Sequence, residues 1–171
     1  TGINGQDGSY LAEHLLEKDY KVYGILRRNS TAENQDTRIS HLFDNPDLST
    51  EYGDILDTSS LDRMLKSVKP DEIYNLAASS EMFGRSVDED GYQRETTHME
   101  PTSPYGCAKV FAYNIVRHYR FAHNLFAVNG ILFNHESPRR GSNFVTNKVV
   151  KTAVKIKLGL QDNLVMGNLD S

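Results

Sequence analysis

Residues 1–16 read TGINGQDGSYLAEHLL, and three glycines recur in them at every third position, Gly2, Gly5 and Gly8. Glycines at this spacing allow a tight turn and a close approach of the backbone to a ligand. The apolar residues that follow have helical spacing, and the start of a helix presents N–H groups and a positive dipole end to a diphosphate. The pattern predicts a dinucleotide-binding loop, with an ordinary turn as the alternative. The predicted contacts are Gly2, Asn4, Gly5, Gln6, Asp7 and Gly8.

Strands and helices alternate along the rest of the chain. We expect strands at residues 21–26, 51–55, 72–78, 125–134 and 164–167. We expect helices from the Asp57 cap to just before Pro70, at 104–123 and at 144–158. The run at 125–134 is almost continuously apolar, which is typical of strands in the interior of parallel sheets. The alternation predicts an α/β protein with a Rossmann-like, doubly wound parallel sheet.

One junction departs from this topology. Parallel strands are joined by crossovers of about a dozen residues or more, usually a helix. The strand at 72–78 instead runs straight into SSEMFGRSVDEDGYQRETT, residues 79–97, which has no helical pattern. We therefore expect that a helix and a strand are missing near residues 78–80, with a break in the path of the backbone there. A first strand before Thr1 is also expected, as is further sequence beyond Ser171.

Composition and charge argue against several classes of protein. The 171 residues suffice for a domain with a hydrophobic core, and the net charge of −4 does not favour nucleic acid or an acidic membrane surface. No apolar run approaches the roughly 20 residues of a membrane span. The single cysteine, Cys107, cannot form an internal disulfide, and the six histidines lack metal-ligand spacing. We expect a cytoplasmic protein with no metal, nucleic-acid or membrane partner.

The end of the strand at 21–26 indicates which dinucleotide binds. An acidic residue there would accept hydrogen bonds from the ribose of NAD, but this chain has Arg27 and Arg28. Guanidinium groups bind a phosphate bidentately, so the pair favours NADP, with a solvated basic pair as the alternative. The further predicted cofactor contacts are Ser30, Asp54, Ile55, Leu76, Ala77 and Ala78.

Tyr105 and Lys109 form a candidate catalytic pair. They stand four residues apart in the predicted helix at 104–123 and so share one of its faces. An ammonium beside a phenol favours the phenolate, which can remove a proton from a hydroxyl group. Lys109 is also placed to hold the nicotinamide ribose. The alternative is a surface tyrosine–lysine pair of no catalytic importance.

Six segments resemble the GDP-mannose 4,6-dehydratases, a branch of the extended short-chain dehydrogenase/reductase family: TGINGQDGSYLAEHLLEK, YGDILD, EIYNLAA, SEMFG, SPYGCAK and NGILFNHESPRRG. The resemblance implies a lyase that converts GDP-mannose to GDP-4-dehydro-6-deoxymannose, using NADP that is regenerated in each cycle. It implies that Glu81 takes the proton from C5 of the sugar and that Ser79 replaces a threonine usual in the family. The alternative for Ser79-Ser80-Glu81 is a helix cap.

The resemblance also implies roles towards the C-terminus and an assembly. Glu81, Asn134, Lys148 and Asn168 are assigned to the GDP-sugar, and His135 and Arg140 to the cofactor. The resemblance implies that residues 1–133 form the NADP-binding Rossmann domain and that residues 134–171 are the truncated start of the substrate-binding domain. Family members form homodimers or homotetramers. The alternatives are another NAD(P)-dependent nucleotide-sugar epimerase or dehydratase, and a non-catalytic dinucleotide-binding sensor.

Overall fold

The computed structural model describes residues 1–27 and 38–168, apart from the side chains of Ala77 and Ala78. The chain divides into two compact units, Thr1–Asn134 and His135–Ser171. Short 3₁₀ helices lie at Ser40–Leu42 and Ser80–Met82. The main elements are α1 (Gln6–Leu16), β1 (Val22–Leu26), β2 (Leu48–Tyr52), α2 (Thr58–Val68), β3 (Glu72–Ser79), α3 (Pro104–His123), β4 (Phe126–Leu132) and α4 (Val145–Lys157).

The described strands are parallel but form two sheets. β1 pairs with β2, and β3 pairs with β4. A cavity of about 810 Å³ lies between the two sheets and is lined by residues of both β1 and β3. The single sheet that the sequence predicts is therefore divided, because no described strand lies between β1 and β3 to receive their backbone hydrogen bonds.

Two predicted helices in the first unit are capped at their N-termini, α2 by the expected Asp57 and α3 by Ser103, a cap that was not predicted. The Asp57 side chain accepts a hydrogen bond from Ser60 N at 3.2 Å. At the other end, α2 is followed by its C-cap Lys69, whose φ is +48°, directly before Pro70. The predicted helix at 104–123 is confirmed as α3, which begins with Pro104 behind the Ser103 cap. Within the described residues, no helix is long and apolar enough to cross a membrane.

Several strand boundaries differ from the prediction. The second strand lies at Leu48–Tyr52 and not at 51–55, because its register with β1 pairs Val22 with Leu48 and Leu26 with Tyr52. β4 was expected in the interior of a sheet, but β3 is its only partner among the described strands, and Phe126 is 53% exposed. Residues 164–167, which the structure describes, form no strand.

The backbone is continuous through residues 78–80. β3 extends to Ser79, and the 3₁₀ helix starts at the next residue, so the expected break in the path of the backbone is wrong. A sequence that omits a segment still joins the flanking residues by an ordinary peptide bond. What marks this place is an irregular register with β4 between Asn75 and Ala78. Residues 83–103 are all described, and they contain no crossover helix before α3.

A small core beneath residues 1–8 fixes the position of the glycine loop. Ile3, Ala12, Leu26 and Ile39 are buried together. Gly24 in β1 has no side chain because a Cβ there would lie 2.4 Å from the Ile3 side chain. The close contact between Ile3 and β1 places the loop and the start of α1 beside the carboxyl end of that strand.

Candidate active site

The glycine loop has the compact geometry that the sequence predicts. Gly5 N donates to Gly2 O at 2.9 Å, and Gly2 has a φ of +72°, which favours glycine. A Cβ on Gly8 would lie only 2.0 Å from Gly2 O, so a side chain at this position would push the loop away from α1. Gly5 is the N-cap of α1 and Asp7 lies in the helix's first turn. The loop therefore leads directly into a helix N-terminus.

The ends of β1 and β2 bring Arg27 and Asp54 near each other. Arg27 Nε lies 4.0 Å from Asp54 Oδ2, and both side chains are exposed. Asp54 Oδ1 also accepts a hydrogen bond from Leu56 N at 3.0 Å. Ile55 lines the cavity between the sheets. Arg28 and Ser30, also predicted to bind the cofactor, lie outside the described residues.

Strand β3 connects the glycine loop to the predicted catalytic residues. A Cβ on Gly2 would lie 3.8 Å from Leu76 Cβ, so the loop rests against this strand. Asn75 is fully buried; its side-chain oxygen accepts from the Thr1 hydroxyl and its amide donates to Asn129, each at 2.7 Å. Asn129 in turn donates to Tyr113 O in α3 at 3.2 Å. The buried Asn75 and the half-buried Asn129 together tie β3 to β4 and to α3.

The four predicted catalytic residues lie on three elements that pack together: β3, the 3₁₀ helix after it, and α3. Ser79 ends β3 and Glu81 lies in the following 3₁₀ helix, while Tyr105 and Lys109 share the first turns of α3. Lys109 Nζ lies 4.7 Å from the centre of the Tyr105 ring, and Tyr105 is 53% exposed. The Ser79 hydroxyl oxygen is buried and has no hydrogen-bond partner in the described part of the chain.

Three contacts at the site were not predicted from the sequence. Ser103 and Gly106 in the first turn of α3 both contact Glu81. The Ser-Pro pair and a glycine inside a helix mark such a turn, but they do not indicate what lies against it. Arg38 donates to Asn4 O in the glycine loop at 3.1 Å. Nothing in the sequence around Arg38 identifies this partner, because 34 residues separate the two.

The second unit contains four of the residues that the resemblance assigns to the GDP-sugar or the cofactor: His135, Arg140, Lys148 and Asn168. The Arg140 guanidinium lies 3.7 Å from the centre of the Phe144 ring, and its Nε is 3.5 Å from Glu136 Oε1. Arg140 therefore has partners within its own unit. His135, Lys148 and Asn168 lie in the same unit, while Asn134 is the last residue of the first. Across 1–27 and 38–168, no three His, Cys, Asp or Glu side chains cluster as metal ligands would.

Comparison with known proteins identifies the family. A sequence profile described as GDP-mannose 4,6 dehydratase matches residues 1–80 and 77–171. The chain belongs to this dehydratase family. It is 44% identical to the human GDP-mannose 4,6 dehydratase over 219 aligned residues, and 43% identical to that of Yersinia enterocolitica over 218. Both alignments cover 100% of this chain but only 58% of the relative, so the chain spans little more than half the length of these dehydratases.

The alignments also bear on the junction after β3. The alignment with the human dehydratase is 219 residues long and this chain has 171, so at least 48 aligned positions of the human protein have no counterpart here. The two matched segments of the family profile meet at residues 77–80. This is where β3 passes into the 3₁₀ helix without a crossover.

Solved structures confirm the α/β Rossmann-like fold class. UDP-glucuronic acid 4-epimerase from Bacillus cereus in complex with NAD has a TM-score of 0.69 at 21% identity, covering 90% of this chain and 62% of its own. The dTDP-glucose 4,6-dehydratase from Bacillus anthracis in complex with NAD has a TM-score of 0.66 at 20% identity, with coverages of 89% and 59%. RMD from Pseudomonas aeruginosa, complexed with NADPH, has a TM-score of 0.61 at 20% identity, with coverages of 94% and 62%.

Proposed function

We propose that this protein converts GDP-mannose to GDP-4-dehydro-6-deoxymannose. The observation that carries the proposal is the meeting of Ser79 and Glu81 with Tyr105 and Lys109 at adjoining ends of β3 and α3. Two acid–base groups on separate elements suit a reaction that moves two different protons of one sugar. Membership of the dehydratase family supports GDP-mannose as the sugar nucleotide.

A nicotinamide dinucleotide fits the glycine loop. The compact turn at Gly2 and Gly8 brings the backbone up to a helix N-terminus, the arrangement that binds a diphosphate. Fold relatives solved with NAD or with NADPH support this class of cofactor. The exposed Arg27 guanidinium at the end of β1 favours NADP, because it can pair with a 2′-phosphate. When bound, the cofactor would supply hydride-transfer chemistry at C4 and C6 of the sugar.

Tyr105 acts on the C4 hydroxyl group. Its ring lies beside the Lys109 ammonium, with Nζ 4.7 Å from the ring centre. The Tyr105 oxygen takes the hydroxyl proton as the C4–H bond is broken, which leaves a ketone at C4. The buried Ser79 hydroxyl has no partner in the described residues, so it is available to donate a hydrogen bond to the C4 oxygen.

Glu81 acts on C5 after the ketone has formed. The C4 ketone makes the C5 proton acidic, because the negative charge left behind is shared with the C4 oxygen. The carboxylate removes this proton and, now protonated, delivers a proton to the C6 hydroxyl group, which leaves as water. Residues of the second unit, Lys148 and Asn168, together with Asn134, stay predicted contacts of the GDP-sugar, and His135 and Arg140 stay predicted contacts of the cofactor.

The proposal is tested by incubating the purified protein with GDP-mannose and NADP and following the sugar by NMR. We expect a C4 ketone and a C6 methyl group, with no net reduction of the cofactor. UDP-glucuronic acid and dTDP-glucose serve as control substrates and should not react. Binding of the dinucleotide without any change in GDP-mannose would instead support a sensor, and conversion of a control substrate would support another sugar-nucleotide enzyme. A cytoplasmic location and a homodimer or homotetramer stay predictions.

A further inference from the structure

We propose that Ser103 and Gly106 are positioning residues that hold Glu81 in place relative to Tyr105. The inference rests on the proposed function, because it concerns the step that Glu81 performs there. Both residues lie at the start of α3, next to Tyr105 itself. They contact Glu81 in two independent ways, one through its backbone and one through its carboxylate.

Gly106 sets the distance between α3 and the turn that carries Glu81. A Cβ at Gly106 would lie 2.6 Å from Glu81 O, which is closer than real Cβ atoms approach a backbone oxygen. It would also lie 3.0 Å from Pro101 Cβ. The turn cannot easily yield, because its last residue, Met82, is 0% exposed and Phe83 directly after it is 1% exposed. Any residue larger than glycine therefore moves Glu81 away from the helix that carries Tyr105.

Ser103 orients the Glu81 carboxylate. Its hydroxyl donates to Glu81 Oε2 at 3.4 Å, while its oxygen accepts from Gly106 N at 2.9 Å as the cap of α3. The contact with Glu81 is long for an O–H···O hydrogen bond, and such bonds in free enzymes often shorten when substrate binds. The Ser103 side chain thus caps α3, which carries Tyr105, and also contacts Glu81, the proposed base for C5.

A structural role for the cap alone is separable from this positioning role. Replacing an N-cap serine with glycine costs a helix little stability, yet glycine has no hydroxyl group. Ser103→Gly therefore removes the contact with Glu81 and largely spares α3, and Ser103→Thr restores a hydroxyl. Asp57→Gly is the matched control, since Asp57 caps α2 through Ser60 N and is not among the residues that contact Glu81.

The test isolates the Glu81 step from hydride transfer. The 4-keto product is incubated with each variant in deuterium oxide, and incorporation of deuterium at C5 is followed by NMR. Glu81 takes the C5 proton to give the enolate, exchanges it with solvent and returns a deuteron, so no oxidant or reductant is consumed. We expect the exchange to slow by about tenfold in Ser103→Gly and Gly106→Ala, and to keep its rate in Ser103→Thr and Asp57→Gly.

The outcomes separate the inference from the proposed function. Exchange at the wild-type rate in Ser103→Gly overturns the inference, as does an equal slowing in Asp57→Gly. Thermal unfolding of each variant shows whether Gly106→Ala has lost its fold. In that case the comparison of Ser103→Gly with Ser103→Thr tests the inference alone. A wild-type protein that neither exchanges C5 nor converts GDP-mannose refutes the proposed function, and the inference falls with it.

Discussion

Tyr105 and Glu81 lie on different elements, and the proposed reaction gives each of them a different proton. Tyr105 is next to a cation, Lys109, whereas Glu81 contacts the hydroxyl of Ser103. The two groups are therefore held by separate contacts, although both depend on the first turn of α3. Substitutions at the two positions should consequently stop the reaction at different points.

Replacing each base in turn tests this division. Tyr105→Phe removes the group that takes the C4 hydroxyl proton, so we expect no oxidation of the sugar. Glu81→Gln preserves the shape of the side chain but not its basicity, so oxidation at C4 continues while loss of water falls by about 10²–10⁴-fold. Absorbance of the reduced nicotinamide and the NMR spectrum of the sugar check both results. Cofactor reduction by Tyr105→Phe is the result that contradicts the assignment.

The arginines at the end of β1 test the choice of cofactor. Replacing Arg27 and Arg28 with alanine should weaken the binding of NADP by roughly ten- to hundredfold, because a charge-assisted contact with the 2′-phosphate is lost. NAD lacks that phosphate and should bind almost as before. Calorimetric titration with both dinucleotides measures the difference, with Arg63→Ala on the exposed face of α2 as the control. Equal weakening of the two dinucleotides would show that the arginines serve another purpose.

Among the elements, the loop between the 3₁₀ helix Ser80–Met82 and α3 is held together by ion pairs of one arginine, Arg94. Arg94 contacts Asp88 at 2.9 Å and Asp90 at 2.6 Å, and Thr97 donates to Asp88 at 2.8 Å. The hydrogen bonds from Arg94 lower the pKa of both carboxyl groups below the ordinary value for aspartate. Thus a loop with no helical or strand pattern in its sequence still has a defined arrangement.

This arrangement should depend on pH in a predictable direction. Since the folded pKa of Asp88 and Asp90 lies below the unfolded value of about 3.9, the contacts stabilise the loop above that value. The stabilisation is lost as the pH falls through the folded pKa. The protection of the loop amides against hydrogen exchange, measured relative to the intrinsic exchange rate at each pH, should therefore fall in acid for the wild type, and Arg94→Gln should already show low protection at neutral pH. An acid response that is unchanged in Arg94→Gln contradicts this account.

The sequence predicted helices better than it predicted strand partners. The signals for helices are local: the Asp57 cap identifies the start of α2, and the helical spacing from Pro104 onward identifies α3. The range of β2 and the exposure of β4 depend on which strands lie beside them, and spacing along the chain does not encode this. The same limit explains the missed contacts of Ser103 and Arg38, whose partners lie 22 and 34 residues away in sequence.

At the scale of the whole molecule, the junction at residues 77–80 separates this chain from its relatives. The human dehydratase has at least 48 aligned positions without a counterpart here, and β3 passes directly into the 3₁₀ helix that carries Glu81. We expect the natural protein to carry the crossover within this interval. Trypsin cleaves after Lys66 and Arg85 but not between Lys69 and Pro70. It should therefore release residues 67–85 as one peptide if residues 77–80 are joined directly to one another. We expect mass spectrometry of the natural protein not to find it, and its detection contradicts the expectation.

The most direct test of the central claim follows one hydrogen atom through the reaction. GDP-mannose carrying deuterium at C4 is converted in ordinary water, and the product is examined by NMR and mass spectrometry. If Tyr105 and Glu81 act as proposed, the C4 deuterium is removed as hydride and returned within the same site. The deuterium then appears in the C6 methyl group while C5 takes a hydrogen from solvent. Loss of the deuterium to water, its retention at C4 or the absence of a 4-keto product contradicts the account.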